Sequence, residues 1–231
     1  SQKRKCEYAG KQYYKKCEYV RGNMFKRKIY DKMLEWKENS DGKTALLIEG
    51  ARRIGKSTVA EEFAKKEYES YILIDFSTAS RTVRELFEDI SDLKASTDVR
   101  NLFEDVSDLD YLFLQLQLQY RTDLHTRKSL IIFDEVQLCP MARQAIKSLV
   151  QDHRYDYIET GSLISIRKNV KGILIPSEER KINMYPMDYE EFLWAIGDQT
   201  TFGLLKKCYD AGRGLGDQLN RKQLRNFRLY M

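Results

Sequence analysis

Two histidines and four cysteines in 231 residues leave little for a metal site built on nitrogen and sulfur. Cys6, Cys17, Cys139 and Cys208 form no C-x-x-C pair, and with so few histidines no zinc pattern can be assembled. No apolar run approaches the roughly 18 residues of a membrane span, so no membrane segment is expected. The lysines near the start are followed by no apolar stretch, so no signal peptide is expected there either. These absences point to a soluble protein of the cytoplasm with its thiols reduced.

What is present suits a full hydrophobic core. The chain is 42% hydrophobic and 32% charged, and its length fits one domain with an appendage. The net charge of +5 conceals a division. Residues 1–28 hold ten Lys/Arg against two Asp/Glu, residues 206–231 hold seven against two, and the stretch between is acidic. Basic ends on an acidic middle suit a weak contact with nucleic acid or an acidic partner, although a solvated arm and a lysine-rich helix face would look the same.

One stretch carries chemistry directly. "IEGARRIGKSTVAEEF" (Ile48 to Phe63) fits G-x-x-x-x-G-K-[ST] through Gly50, Gly55, Lys56 and Ser57. Glycines let the backbone curl until successive N–H groups point at phosphate oxygens. Lys56 would reach the β- and γ-phosphates, and the Ser57 hydroxyl would ligate Mg²⁺. The nucleotide-binding segment is therefore read as Gly50, Ala51, Arg52, Arg53, Ile54, Gly55, Lys56, Ser57 and Thr58. Its flanks agree. "TALLIE" (Thr44 to Glu49) is fit for a buried strand, and "KSTVAEEFAKKEY" (Lys56 to Tyr68) has helical spacing at Val59, Ala60, Phe63 and Ala64. The helix adds its positive N-terminal end to the same site.

Along the rest of the chain, strand and helix patterns alternate. Strands are expected at "SYILIDF" (Ser70 to Phe76), "SLIIFDE" (Ser129 to Glu135), "YDYIETGS" (Tyr155 to Ser162) and "RKINMYPM" (Arg180 to Met187). Helices are expected at "MFKRKIYDKMLEWKEN" (Met24 to Asn39), at "CPMARQAIKSLVQD" (Cys139 to Asp152) with Pro140 near its start, and at "MDYEEFLWAIG" (Met187 to Gly197) with Asp188 as its cap. "LDYLFLQLQLQY" (Leu109 to Tyr120) alternates like a strand, yet its length and lack of β-branched residues favour a helix. "VRELFEDISDLK" (Val83 to Lys94) recurs as "VRNLFEDVSDLD" (Val99 to Asp110) with nine of twelve positions identical. We read this as a local tandem duplication lengthening a surface crossover, since it is too short for a solenoid. The alternation predicts an α/β fold with a five-stranded, mainly parallel sheet and helices on both faces. Ligands bind at the carboxyl ends of such strands, where the glycine loop, Asp134-Glu135 and Thr160-Gly161-Ser162 all fall.

Asp134, just past an apolar strand, would hold Mg²⁺ through its water shell, and Glu135 would orient and deprotonate the water attacking the γ-phosphate of ATP. Thr160 or Ser162 could bond the γ-phosphate or that water, or simply make a turn at a strand end. Arg52, Arg53, Arg167 and Arg180 are the candidates for an arginine that stabilises the transferring phosphoryl group.

With these residues in place, "GARRIGKST", "LIIFDEVQ", "YIETGS" and "INMYPMDYEEFLWA" together resemble the prokaryotic AAA-superfamily ATP-binding proteins that carry a C-terminal domain of unknown function. The resemblance runs from about Met24 to Met231. It implies a P-loop NTPase core with a catalytic glutamate after Walker B and an extra strand between the P-loop and Walker B strands. It assigns Lys56 and Ser57 to Walker A, Asp134 and Glu135 to Walker B, and the sensor position to Thr160-Gly161-Ser162. Where the family often shows Gly-Arg before a "PLSFEEF"-like motif, Glu179-Arg180 stands here, which leaves Arg180 as the candidate for that arginine without the glycine turn. The duplication is not a family feature, and the chain stops at "FRLYM" where the C-terminal domain should be entering its core.

The expected organisation is thus a basic arm over 1–23 upstream of a natural start at Met24, an ATPase domain over 24–197, and the start of a truncated helical domain over 198–231. The expected activity is Mg²⁺-dependent ATP hydrolysis acting on an unknown client, with ATP and ADP as ligands and the oligomeric state open. A slow nucleotide-gated switch or DNA-binding module is the alternative. A small-molecule phosphotransferase fits less well, because such enzymes usually lack a glutamate directly after the Walker B aspartate and no arginine-rich lid is evident.

Overall fold

A computed structural model describes residues 26–91, 108–162 and 178–231. The arm expected over 1–23, Arg167 and nearly all of the second repeat copy lie outside the described residues. The described residues fall into two compact units, 29–186 and a smaller one made of 26–28 with 187–231.

In the larger unit the chain opens with helix α1 (Lys28–Ser40), which buries Ile29, Met33 and Trp36 on one face. Strand β1 (Ala45–Gly50) follows, then the glycine loop and helix α2 (Lys56–Glu67), then strand β2 (Ser70–Asp75). Helices α3 (Arg81–Ser91) and α4 (Asp108–Tyr120) precede strand β3 (Ser129–Asp134). A short 3₁₀ turn (Val136–Leu138) leads into helix α5 (Pro140–Asp152), and strands β4 (Asp156–Ser162) and β5 (Glu179–Met184) complete the sheet.

The sheet order is β2-β3-β4-β1-β5, and every pairing is parallel. Strand β4 therefore separates the glycine-loop strand from the strand ending in Asp134, as the family resemblance implies. Side chains alternate across the sheet. Ala45, Leu47, Ile72, Ile74, Ile131, Phe133 and Tyr157 share one core cluster with residues of α3, α4 and α5. Leu46, Ile48, Ile132 and Ile158 are buried on the opposite face. There α1 and α2 meet edge to face through Tyr30 and Phe63, whose ring centroids are 5.2 Å apart. Both faces being covered explains why these strands read as continuous apolar runs rather than as alternating ones.

The segment 109–120 is helical, as its lack of β-branched residues indicates, with Leu112, Phe113 and Leu116 buried. The first copy of the repeat packs into the core, with Val83, Leu86 and Phe87 of α3 buried, and the reading of the duplication as a lengthened crossover falls on residues outside those described. Phe87 meets Phe76 and Phe133 at centroid distances of 5.7 and 5.4 Å. Removing one such ring from a core typically costs about 3–5 kcal/mol, so this helix is part of what holds the sheet.

The smaller unit contains helices α6 (Tyr189–Ala195), α7 (Thr201–Asp210) and α8 (Asp217–Tyr230). Asp188 and Glu191 form a capping box at the start of α6, each accepting from the other's backbone N–H. Glu191 also pairs with Arg27 at 3.3 Å and accepts from the Lys28 N–H at 2.7 Å. Tyr189 packs edge-on against Phe227 and Tyr230 of α8 at 5.5 and 5.6 Å. Among the described residues no helix is long and apolar enough to cross a membrane.

Candidate functional site

The glycine loop begins where β1 ends. Gly50 pairs with Ser162 of β4 on one side and Met184 of β5 on the other. A Cβ at Gly50 would lie 2.3 Å from the Met184 carbonyl oxygen and 2.7 Å from Ile54 Cδ1, so only glycine fits this crowded strand end. The loop then closes through two left-handed residues, Arg53 (φ 62°) and Gly55 (φ 91°), and Gly55 stands at the N-terminus of α2. Ala51, Arg52, Arg53 and Thr58 are exposed, Ile54, Gly55 and Ser57 are half-buried, and Lys56 is buried. The first residues of the loop are thus open to solvent while its lysine is tucked in.

Lys56 Nζ donates to the carbonyls of Ala51 at 2.7 Å and Gly50 at 3.3 Å. Burial pulls its ammonium below the ordinary lysine range, Glu135 and Asp134 oppose that shift, and the Arg52 charge adds to it. The amine is thereby held inside the loop, beside the two acids that end β3.

Asp134 collects the site. Ser57 Oγ donates to Asp134 Oδ1 at 2.7 Å, and Thr160 Oγ1 donates to the same oxygen. The Glu135 N–H lies 3.4 Å from Thr160 Oγ1, so one hydroxyl on β4 binds both acidic residues, one by side chain and one by backbone. Thr160 is fully buried and Asp134 nearly so, which strengthens these bonds relative to water. Ser162 sits two residues further along β4, in register with Gly50.

Glu135 itself is left-handed (φ 52°, ψ 45°) and starts the 3₁₀ turn. Its Oε2 accepts from Nε2 of Gln137, which ends the "LIIFDEVQ" motif and has no role assigned from sequence. The available signal was a lone amide between the apolar Val136 and Leu138.

The structure brings together Gly50, Gly55, Lys56, Ser57, Asp134, Glu135, Thr160 and Ser162. It does not bring Arg180 to them. Arg180 pairs with Leu46, four residues before the strand end where Met184 meets Gly50, or about 13 Å along the strand. Its guanidinium bonds Glu35 of α1 at 3.1 Å instead. The assignment of Arg180 as a catalytic arginine within one copy of the chain is corrected by this register. Arg52 and Arg53 remain on the loop.

The donor set fits magnesium. A hydroxyl and a carboxylate 2.7 Å apart are hard oxygen donors, and Mg²⁺ typically takes one or two such protein ligands with waters and phosphate oxygens completing its shell. Among the described residues no group of three or more His, Cys, Asp or Glu side chains is placed to hold a metal by protein ligands alone.

A family model described as an AAA domain matches residues 42–193, a span that contains every loop and strand end just described. No curated protein matches the chain. Among solved structures, the Orc1 protein of Aeropyrum pernix, determined in complex with DNA, is 12% identical with a TM-score of 0.43 over 81% of this chain and 53% of that one. PCH-2 of C. elegans is 14% identical with a TM-score of 0.30 over 78% of this chain and 43% of that one. The chain therefore covers about half the length of these two structures.

Proposed function

Starting from the fact that this chain belongs to the AAA domain family, we propose that it binds ATP with Mg²⁺ and hydrolyses it at the carboxyl ends of β1, β3 and β4. The observation that carries this reading is the convergence of Ser57 and Thr160 on one oxygen of Asp134, with Glu135 beside it and Lys56 in the loop.

Each residue then has a part. The loop N–H groups and the N-terminus of α2 bind the phosphates, and Lys56 supplies the positive charge of its ammonium among them. Ser57 and Asp134 would hold the metal, which when bound neutralises phosphate charge as the γ-phosphate leaves. Glu135 takes the proton of the attacking water. Thr160 ties the two acids together through its hydroxyl, which leaves Ser162, in register with Gly50, as the candidate to bond the γ-phosphate or that water. Among the described residues Arg52 and Arg53 are the candidates within this copy for charge stabilisation at the transferring phosphoryl group.

A weak, non-specific contact with nucleic acid is part of the reading, supported by the exposed Arg221, Arg225 and Arg228 of α8. Phosphate release from ATP, measured with and without Mg²⁺ and with and without DNA, tests the reading. Metal-dependent turnover supports it. Tight ATP binding with no turnover would replace it by the nucleotide-gated switch.

A further inference from the structure

Gln137 is buried in a turn whose other two residues, Val136 and Leu138, are apolar. An amide taken out of water without a partner costs roughly 1–3 kcal/mol, so a glutamine here calls for a specific bond. That bond goes to Glu135, whose Oε2 accepts from Gln137 Nε2. The backbone makes the contact possible. Glu135 is left-handed, and the Leu138 N–H closes onto the Glu135 carbonyl at 2.9 Å, which turns the chain back over its own start. A residue two positions on is thereby carried to the carboxylate, while the Thr160 hydroxyl meets the Glu135 backbone N–H. Side chain and main chain of Glu135 are held by different partners.

We propose that Gln137 is a positioning residue for the hydrolysis assigned above. Its amide grips Oε2 and leaves Oε1 directed to the attacking water. The proposal rests on the ATPase reading of this site. A half-buried glutamate without this bond would sample several staggered rotamers, and only some of them aim a carboxylate oxygen at the water. A misplacement near 1 Å can cost about 10²-fold in rate, which sets the scale of the effect.

The test uses Gln137→Met, which keeps the length and removes the N–H donor, and Gln137→Asn, which keeps the amide and shortens its reach. Both are compared with Glu135→Gln and with the double variant Glu135→Gln/Gln137→Met in the full chain. For both Gln137 variants we expect kcat to fall about 10- to 100-fold while KM and the calorimetric affinity for ATP stay within about twofold. The double variant should be no slower than Glu135→Gln alone, because Gln137 acts only through that carboxylate. A crystal structure of either Gln137 variant should show the Glu135 carboxylate turned away from its present place.

Wild-type kcat in both variants would overturn the proposal, as would a loss confined to KM or effects that simply multiply in the double variant. An unmoved Glu135 carboxylate in the crystal would overturn it too. If Glu135→Gln itself turns over normally, the ATPase reading fails instead, and the crystal structure still decides whether Gln137 places Glu135.

Discussion

Ser57 and Asp134 are 77 residues apart in the chain and are joined by a 2.7 Å hydrogen bond from Oγ to Oδ1. Ser57 stands in the first turn of α2, after the loop that leaves β1, and β4 runs between β1 and β3. The bond therefore ties the helix that follows β1 to the end of β3, and Thr160 of the intervening β4 reaches the same carboxylate oxygen. The start of α2, the end of β3 and the body of β4 are tied at one atom, and that atom is where a hard cation would be held.

Two binding variants separate the parts of this arrangement. Lys56→Ala removes a charged donor from the loop and little from the core, so the fold should survive. Hydrogen bonds to charged groups contribute about 1.5–3 kcal/mol, so ATP affinity should fall at least about tenfold, with or without magnesium. Asp134→Asn should weaken only the part of binding that depends on magnesium. Calorimetric titration with and without the metal distinguishes them, and wild-type affinity in Lys56→Ala would remove the phosphate-cradle assignment.

Arg180→Ala should leave turnover unchanged within about twofold. Its partner Glu35 is exposed, and such surface pairs contribute about 0–1 kcal/mol, so stability should hardly move. Phosphate release at low and high protein concentration is the check. A loss above about tenfold, seen only where copies associate, would make Arg180 an arginine supplied to a neighbouring copy.

Glu159 predicts a pH dependence of stability. Its side chain is fully buried, no hydrogen bond reaches either carboxyl oxygen among the described residues, and Arg143 Nε is 4.0 Å away. Burial, and then the facing Glu179 carboxylate, push its pKa well above the ordinary range, while Arg143 and Lys181 oppose the shift. The folded state therefore keeps a proton that the unfolded chain loses near the usual glutamate value, about 4.3. The stabilising contribution is complete below that value and is lost as pH rises through the raised one. Glu159→Gln stays neutral, so its melting temperature relative to wild type should climb as pH rises above the ordinary glutamate range. A difference that does not change with pH would contradict the burial account.

Most of the architecture was legible because the strands are buried on both faces and end abruptly in chemistry-bearing residues. "LIIFDE" shows its strand and its acids together, and the glycine loop shows its turn. What could not be read was depth along a strand and contact between helices and strands. Arg180 and Met184 belong to the same β5 run, and only the pairing of Leu46 with Arg180 shows which end the arginine occupies. Arg143 and Glu159 each interrupt an apolar pattern, but nothing in one dimension says that α5 lays Arg143 beside Glu159 and Glu179, which it bonds at 3.0 Å. Gln137 belongs to the same class, a buried polar residue whose partner is set by a left-handed turn.

The most direct test is single-turnover and steady-state hydrolysis of Mg·ATP by the wild-type chain and by Glu135→Gln. The substitution keeps size and hydrogen-bonding reach and removes basicity. General-base catalysis typically contributes about 10²- to 10⁴-fold, so turnover should fall by about that factor while Mg·ATP still binds with wild-type affinity. Equal turnover by the two proteins would contradict the assignment of Glu135, and with it the mechanism proposed for this site.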